Sequence, residues 1–184
     1  MENAELDRLV RSAQDGDGDA LEEVLLRIRP LVMRRCARFL PHHQDAEEAA
    51  QDALVSISTR LGTYDGRGTF LGWVTVIASN SARSTYRSMK RRAGTVGMAA
   101  VPEPADPRTT SVIAGTRLDL MEALGDLELH HPVVVESFVL RDFGALPYGE
   151  IAELTDVPLS TVKARIHQAR GFMRERLRPR LDAS

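Results

Sequence analysis

The chain of 184 residues is 43% hydrophobic but only 5% aromatic, with a formal net charge of −2. That balance predicts aliphatic cores in one or two small domains. No apolar run approaches the roughly 20 residues of a membrane span, and the acidic start Met1-Glu2-Asn3-Ala4-Glu5 is unlike a secretory signal. One cysteine, Cys36, excludes an internal disulfide and any multi-cysteine zinc site, so the expected location is cytoplasmic.

Strand signals are almost absent; apolar residues recur at helical spacing. Leu21, Val24, Leu25, Ile28, Leu31, Val32, Cys36 and Phe39 mark one face of a helix over about 19–40. Pro30 is expected to kink it or to join two helices. Asp45 reads as the N-cap of the next helix, with Ala46, Ala49, Ala50, Ala53, Leu54, Ile57 and Leu61 inward. Gly66 and Gly68 predict a turn over 64–68. Thr69 then caps a long helix that carries Phe70, Trp73, Val74, Ile77 and Ala78 on its inner face.

Periodicity fails from Ala93 to about Gly115, where Pro102, Pro104 and Pro107 fall among small residues. The domain boundary is placed there, giving 1–92, a flexible linker 93–115, and 116–184. Helical spacing returns with Leu118, Met121 and Leu124, then with Val133, Val134, Val135, Phe138 and Val139, and Pro132 suits a first helical turn.

The stretch from Pro147 to Arg170 reads as a short helix, a tight turn at Asp156 and a second helix capped by Ser160. Ile151, Ala152, Leu154, Val157, Val162, Ile166 and Ala169 supply its buried side. Thr161, Lys163, Ala164, Arg165, His167, Gln168 and Arg170 face outward. This is the layout of a helix-turn-helix, whose second helix lies in the major groove of DNA. A plain helical hairpin with a solvated basic face would share the pattern.

Charge is segregated along the chain. Residues 83–92 hold Arg83, Arg87, Lys90, Arg91 and Arg92 with no acid, and 163–180 hold one acid, Glu175, among seven cations. Acids gather at Asp15, Asp17 and Asp19 and at Asp45, Glu47 and Glu48. Such a chain can offer DNA one face and a basic protein another. His42-His43 and His130-His131 lack ligand partners at metal spacing, and no nucleophile–base arrangement appears, so neither metal, cofactor nor enzymatic activity is expected.

Two blocks, Asp45–Leu54 and Tyr64–Val74, together with the helix-turn-helix, closely resemble the extracytoplasmic-function (ECF, group 4) sigma factors of bacterial RNA polymerase. Residues of about 5–92 resemble sigma region 2 and about 115–178 resemble region 4. The resemblance implies an all-α fold of two small helical domains, a region 2 bundle and a region 4 helix-turn-helix. It implies docking of Asp45, Glu47, Glu48, Gln51 and Asp52 on the clamp helices of the polymerase's largest subunit. It implies capture and melting of the −10 element by Arg67, Thr69, Phe70, Trp73, Asn80, Arg83 and Arg87. Reading of the −35 element falls to Arg141, Ser160, Thr161, Lys163, Arg165, His167, Gln168 and Arg170. Implied partners are core RNA polymerase and promoter DNA; an anti-sigma factor is a common family partner that no residue here identifies, and no membrane insertion is implied. A stand-alone helix-turn-helix regulator is the alternative, but it would need neither the acidic block nor the Gly66–Trp73 block. The chain departs from the family pattern at Pro147, at Asp156 and at Gly72, Ser81 and Ser84.

Overall fold

The protein is described by a computed structural model covering the backbone of residues 2–95 and 110–181 and the side chains of 4–92 and 119–177. The N-terminal lobe holds α1 (Glu2–Gln14), α2 (Gly18–Phe39), α3 (His43–Arg60), a 3-10 turn at Leu61–Thr63, and α4 (Phe70–Thr95). The turn between α1 and α2 is set by Asp17. Its Oδ1 accepts from the amides of Asp19 and Ala20, both at 3.1 Å, while Ser12 Oγ donates to Oδ2 at 2.8 Å. Two of the amides left open at the start of α2 are thereby satisfied.

Helix α2 buries Val24, Ile28, Val32 and Cys36, one residue per turn, and ends on buried Phe39. It runs through Pro30 without a break, against the expected junction. Pro30 is exposed, and so is Leu26, whose carbonyl loses its helical partner to the proline ring. On the outer face water can take up that carbonyl, so the helix continues. Helix α3 begins one turn earlier than expected: His42 stands at the N-cap without a side-chain bond, and Asp45 lies in the first turn. There its carboxylate is favoured by the helix dipole rather than by capping.

Ala46, Ala49, Ala50 and Ala53 form a buried seam that lets α3 sit close against both α2 and α4. Ser81 on α4 crosses the seam and donates to the Ala49 carbonyl at 2.8 Å. Thr69 caps α4 as expected, its Oγ1 accepting from Gly72 N at 3.0 Å. Phe70, Val74, Ile77, Ala78, Ala82 and Tyr86 continue the core along α4. Burial pushes the Cys36 thiol up to about 12, so it is a packing group with no thiolate character at neutral pH.

Helices enter both ends of the expected linker, since α4 reaches Thr95 and α5 (Thr110–His130) begins before Gly115. Residues 96–109, including all three prolines, lie outside the described residues. The C-terminal lobe continues with α6 (Pro132–Phe138), a π-helical turn (Val139–Phe143), α7 (Tyr148–Thr155) and α8 (Leu159–Leu181), with Pro132 at the start of α6 as expected. Leu124, Leu127, Val134, Phe138, Ala169 and Met173 pack α5, α6 and α8 together. A smaller cluster of Leu140, Leu146, Ile151, Val162 and Ile166 holds α7 against α8. No strand occurs among the described residues, and no helix among them is long and apolar enough to cross a membrane.

The lobes are in contact. Phe39 stacks on Phe143 with centroids 4.7 Å apart, and the Phe143 carbonyl accepts from Arg35 at 2.8 Å and Arg38 at 2.6 Å. That carbonyl is open because the π turn ends there, leaving its last acceptors without helical partners.

The alanine seam gives the first prediction. Ala53→Leu should destabilise the N-terminal lobe by about 1–3 kcal/mol, because α2 and α4 leave no room for a larger side chain. Urea unfolding checks it, and an unchanged midpoint would show that the seam can yield.

Candidate nucleic-acid interface

The helix-turn-helix corner depends on Asp156, which adopts the left-handed conformation at φ 52° and ψ 45°. Its amide donates to the Ala152 carbonyl, which also accepts from Val157 N at 3.2 Å. Asp tolerates this region where branched residues do not, which is how the corner forms without glycine. Helix α8 starts at Leu159, and the Pro158 carbonyl already accepts from Val162 N at 3.1 Å. Ser160 is therefore a residue of the first turn, not the cap that its spacing suggested.

Ser160, Lys163, His167 and Gln168 are exposed on α8, with Thr161 and Arg165 half-buried beside them. Gln168 reaches His131 Nδ1 at 3.5 Å. Two expected contact residues are otherwise engaged. Arg170 is gripped by Asp142 through both nitrogens, Nε donating at 2.9 Å, which holds its pKa above the ordinary value. Arg141 donates to the Leu146 carbonyl at 2.8 Å and lies 4.7 Å over the Tyr148 ring. In this conformation both cations brace the approach to α7, Arg170 while still exposed to solvent; sequence spacing could not reveal partners so placed.

At the other interface, the loop from Tyr64 to Thr69 is built by glycines at positive φ, 84° at Gly66 and 62° at Gly68. Two residues that sequence reading missed hold it. Gln14 on α1 donates from Nε2 to the carbonyls of Leu61 and Tyr64, both at 2.9 Å, and Tyr64 donates its hydroxyl to the Gly68 carbonyl at 3.1 Å. Residues from 6–14 and 64–71 line a cleft of about 560 Å³ behind the loop. Only the many unpaired carbonyls of a glycine loop hint at such an anchor in sequence.

Phe70 is a core residue, 2% exposed, with Tyr64 at 5.5 Å and Trp73 at 5.9 Å between ring centroids. Its expected contact with a flipped base does not fit that burial: the first inward position of an amphipathic helix goes to the core. Trp73 is half-buried, and Thr69, Asn80 and Arg87 are exposed. Arg83 keeps only 12% of its side chain exposed; burial lowers its pKa while Glu128, 2.6 Å away, opposes the shift. The same carboxylate takes Arg87 at 2.9 Å.

On α3, Glu47, Glu48, Gln51 and Asp52 are exposed and Asp45 is half-buried. Glu47 faces His43 at 3.5 Å. Glu48 and Asp52 share a groove of about 430 Å³ with Trp73 and Asn80, bringing the acidic block and part of the loop–helix block onto one surface. No group of histidine, cysteine and carboxylates suited to a metal ion occurs among the described residues.

A helix-turn-helix in one lobe and an aromatic, cation-flanked loop beside an acidic helix in the other fit a helical DNA-reading protein of the transcription-initiation class. Family models for sigma-70 region 2 and sigma-70 region 4 match residues 24–92 and 135–173, together more than half of the chain. The chain belongs to the sigma-70 family of RNA polymerase sigma factors and to its ECF branch. It is an initiation factor, not an enzyme, and the stand-alone regulator is not favoured.

Among its relatives, the ECF RNA polymerase sigma factor SigE of Mycolicibacterium smegmatis is 34% identical over 154 residues, covering 79% of this chain and 57% of that protein. The RNA polymerase sigma-H factor of Pseudomonas aeruginosa is 26% identical over 183 residues, covering 95% and 94%. The ECF factor SigW of Bacillus subtilis is 26% identical over 177 residues, covering 92% and 95%. Two solved structures share the fold. One is RpoE with the anti-sigma factor NepR from Bartonella quintana, with TM-score 0.51, 19% identity and coverage of 85% and 96%. The other is CnrH with the cytosolic domain of CnrY, with TM-score 0.59, 20% identity and coverage of 96% of each chain.

The Gln14 clasp is testable without DNA. Gln14→Ala should cost about 1 kcal/mol of stability and speed amide exchange across 61–69 while α2 and α3 stay protected. Hydrogen exchange read by mass spectrometry checks this, and unchanged loop exchange would show that the clasp does not order the loop.

Proposed function

We propose that this sigma factor divides promoter recognition between its lobes as a division at 93–115 would allow. The N-terminal lobe docks on core polymerase and opens the −10 element, and the C-terminal lobe anchors on the −35 element from a cytoplasmic location. Glu47, Glu48, Gln51 and Asp52 meet the basic clamp helices, with Asp45 supporting from the first turn of α3. Thr69, Trp73 and Asn80 receive the unstacked strand, and Arg67, Arg83 and Arg87 hold its phosphates. Lys163, Arg165, His167 and Gln168 read groove edges from α8, with Ser160 and Thr161 at its start.

The observation that carries this reading is the shared groove of Glu48, Asp52, Trp73 and Asn80. A polymerase seated on the acidic side would lie directly beside the strand being opened, so docking and melting need no long-range signal. An anti-sigma partner belongs to the proposal too, since RpoE and CnrH are both seen in complex with a partner of that kind or with a cytosolic domain.

Reconstitution with core polymerase on supercoiled promoter DNA tests the whole reading; specific initiation is expected, and its absence would overturn it. Glu48→Lys with Asp52→Lys should weaken core binding by about 30-fold or more while the helical circular dichroism stays unchanged. Equal affinity for core would rule out the α3 face. Lys163→Ala with Arg165→Ala should cost about 1–3 kcal/mol per groove contact and flatten the salt dependence of promoter binding. Footprinting at two salt concentrations measures both effects, and wild-type behaviour would place the reading face elsewhere.

A further inference from the structure

The groove shared by α3 and α4 has an end to which the proposed function gives no role. Besides Glu48, Asp52, Trp73 and Asn80 it is lined by Ser56 and Arg60 of α3. Glu48, Asp52, Ser56 and Arg60 recur every four residues and so form one stripe along the helix. The stripe changes sign, from two carboxylates in its first half to a guanidinium in the last turn. Helix α4 runs back along it. Ser81 bonds the Ala49 carbonyl, and the short connection after Arg60 brings the start of α4 to the end of α3. Trp73 therefore stands at the Arg60 end of the groove, and the other lining cation, Arg92, lies about three helical turns past Ser81, at the far end.

Arg60 is exposed, and among the described residues it takes part in no ion pair. The cations that the proposed function gives to the strand's phosphates differ in this respect. Arg67 lies 3.2 Å from Asp65, and Arg83 and Arg87 both meet Glu128. The dipole of α3 favours a cation in the last turn, but any side of that turn would serve it equally. The dipole therefore does not account for a guanidinium placed in the groove with Trp73. Arg60 also falls between the blocks Asp45–Leu54 and Tyr64–Val74, which is why motif reading passes over it.

We infer that Arg60 is a strand-binding residue of this sigma factor, holding the backbone phosphate of the nucleotide whose base stacks on Trp73. This rests on the assignment of Trp73 and Asn80 to the −10 strand. Half-buried Trp73 offers an indole face on which any base can stack, but stacking leaves the phosphate's charge unmatched. A guanidinium presents a planar fork of donors that fits phosphate oxygens. Being unpaired, Arg60 can take a phosphate without first releasing a carboxylate. The opposite end of the stripe acts in the reverse sense. Glu48 and Asp52 repel phosphates, so a strand in the groove is confined to the Arg60 end while polymerase takes the other. Ser56, neutral and half-buried, separates the two. One helix thus keeps its protein partner on its first half and nucleic acid on its last turn.

The test uses the full chain bound to core polymerase, with labelled single-stranded oligothymidylate as the probe and core alone as the background. Arg60→Ala should lower the affinity for the probe roughly fivefold at low salt. It should also flatten the plot of log affinity against log salt by about 0.7, the share of one phosphate on a single strand. Arg60→Lys keeps the charge but not the fork, so it should hold the wild-type slope and recover part of the affinity. All three chains should bind core equally and show the same far-UV dichroism, since Arg60 is exposed. An unchanged slope in Arg60→Ala would overturn the phosphate contact. A weakened grip on core would place Arg60 in the docking face and overturn the division of α3. Should the wild-type holoenzyme bind the probe no better than core alone, the assignment of Trp73 and Asn80 to a strand would fall, and Arg60 with it.

Discussion

One helix has to satisfy three surfaces at once, and the rest of the molecule is arranged around that demand. Helix α4 gives Phe70, Val74, Ile77, Ala78 and Ala82 to the core shared with α2 and α3. Its start closes the glycine loop of 64–69, and its side gives Val76 to the helix-turn-helix core and Arg83 and Arg87 to Glu128. A helix used all round must take small or polar residues where neighbours approach closely. Gly72, Ser81 and Ser84, which depart from the family pattern, stand on that helix. Ser81 bonds the Ala49 carbonyl, and a side chain at Gly72 would meet Glu150 and Leu154. Two of these departures are thus readable as consequences of packing; nothing in the structure explains Ser84.

Net charge near zero conceals strong local fields. Arg83 and Arg87 of α4 and Glu128 of α5 lie far apart in sequence but face one another across the lobes. Glu128 offsets part of the charge of that basic stretch by pairing with both arginines.

Much of the fold was legible because it rests on periodicity. The buried sets of α2, α3 and α4, the Thr69 cap, the glycine turn, Pro132 at the start of α6 and the left-handed Asp156 all follow from local rules. What was not legible lies in pairings with no local signature. The engagement of Arg170 by Asp142, of Arg141 by the Leu146 carbonyl and of Arg83 by Glu128 depends on where other helices arrive. The junction offered at Pro30 does not form because the residue's effect turns on exposure, and exposure of one helix face is set by the tertiary packing. Phe70 fits both a core and a strand-facing pattern, and only its neighbours Tyr64 and Trp73 decide between them.

The hold of Gln14 on the loop has a consequence for how such proteins diverge. Gln14 lies upstream of the block matched by the region 2 family model, which begins at residue 24. Its two bonds remove conformational freedom from the loop at folding, so that freedom need not be lost when a strand is captured. Substitutions in α1 can therefore change the entropic cost of strand capture while leaving every DNA-facing side chain intact. Strand capture thus becomes adjustable from a helix that carries none of the residues proposed to meet DNA.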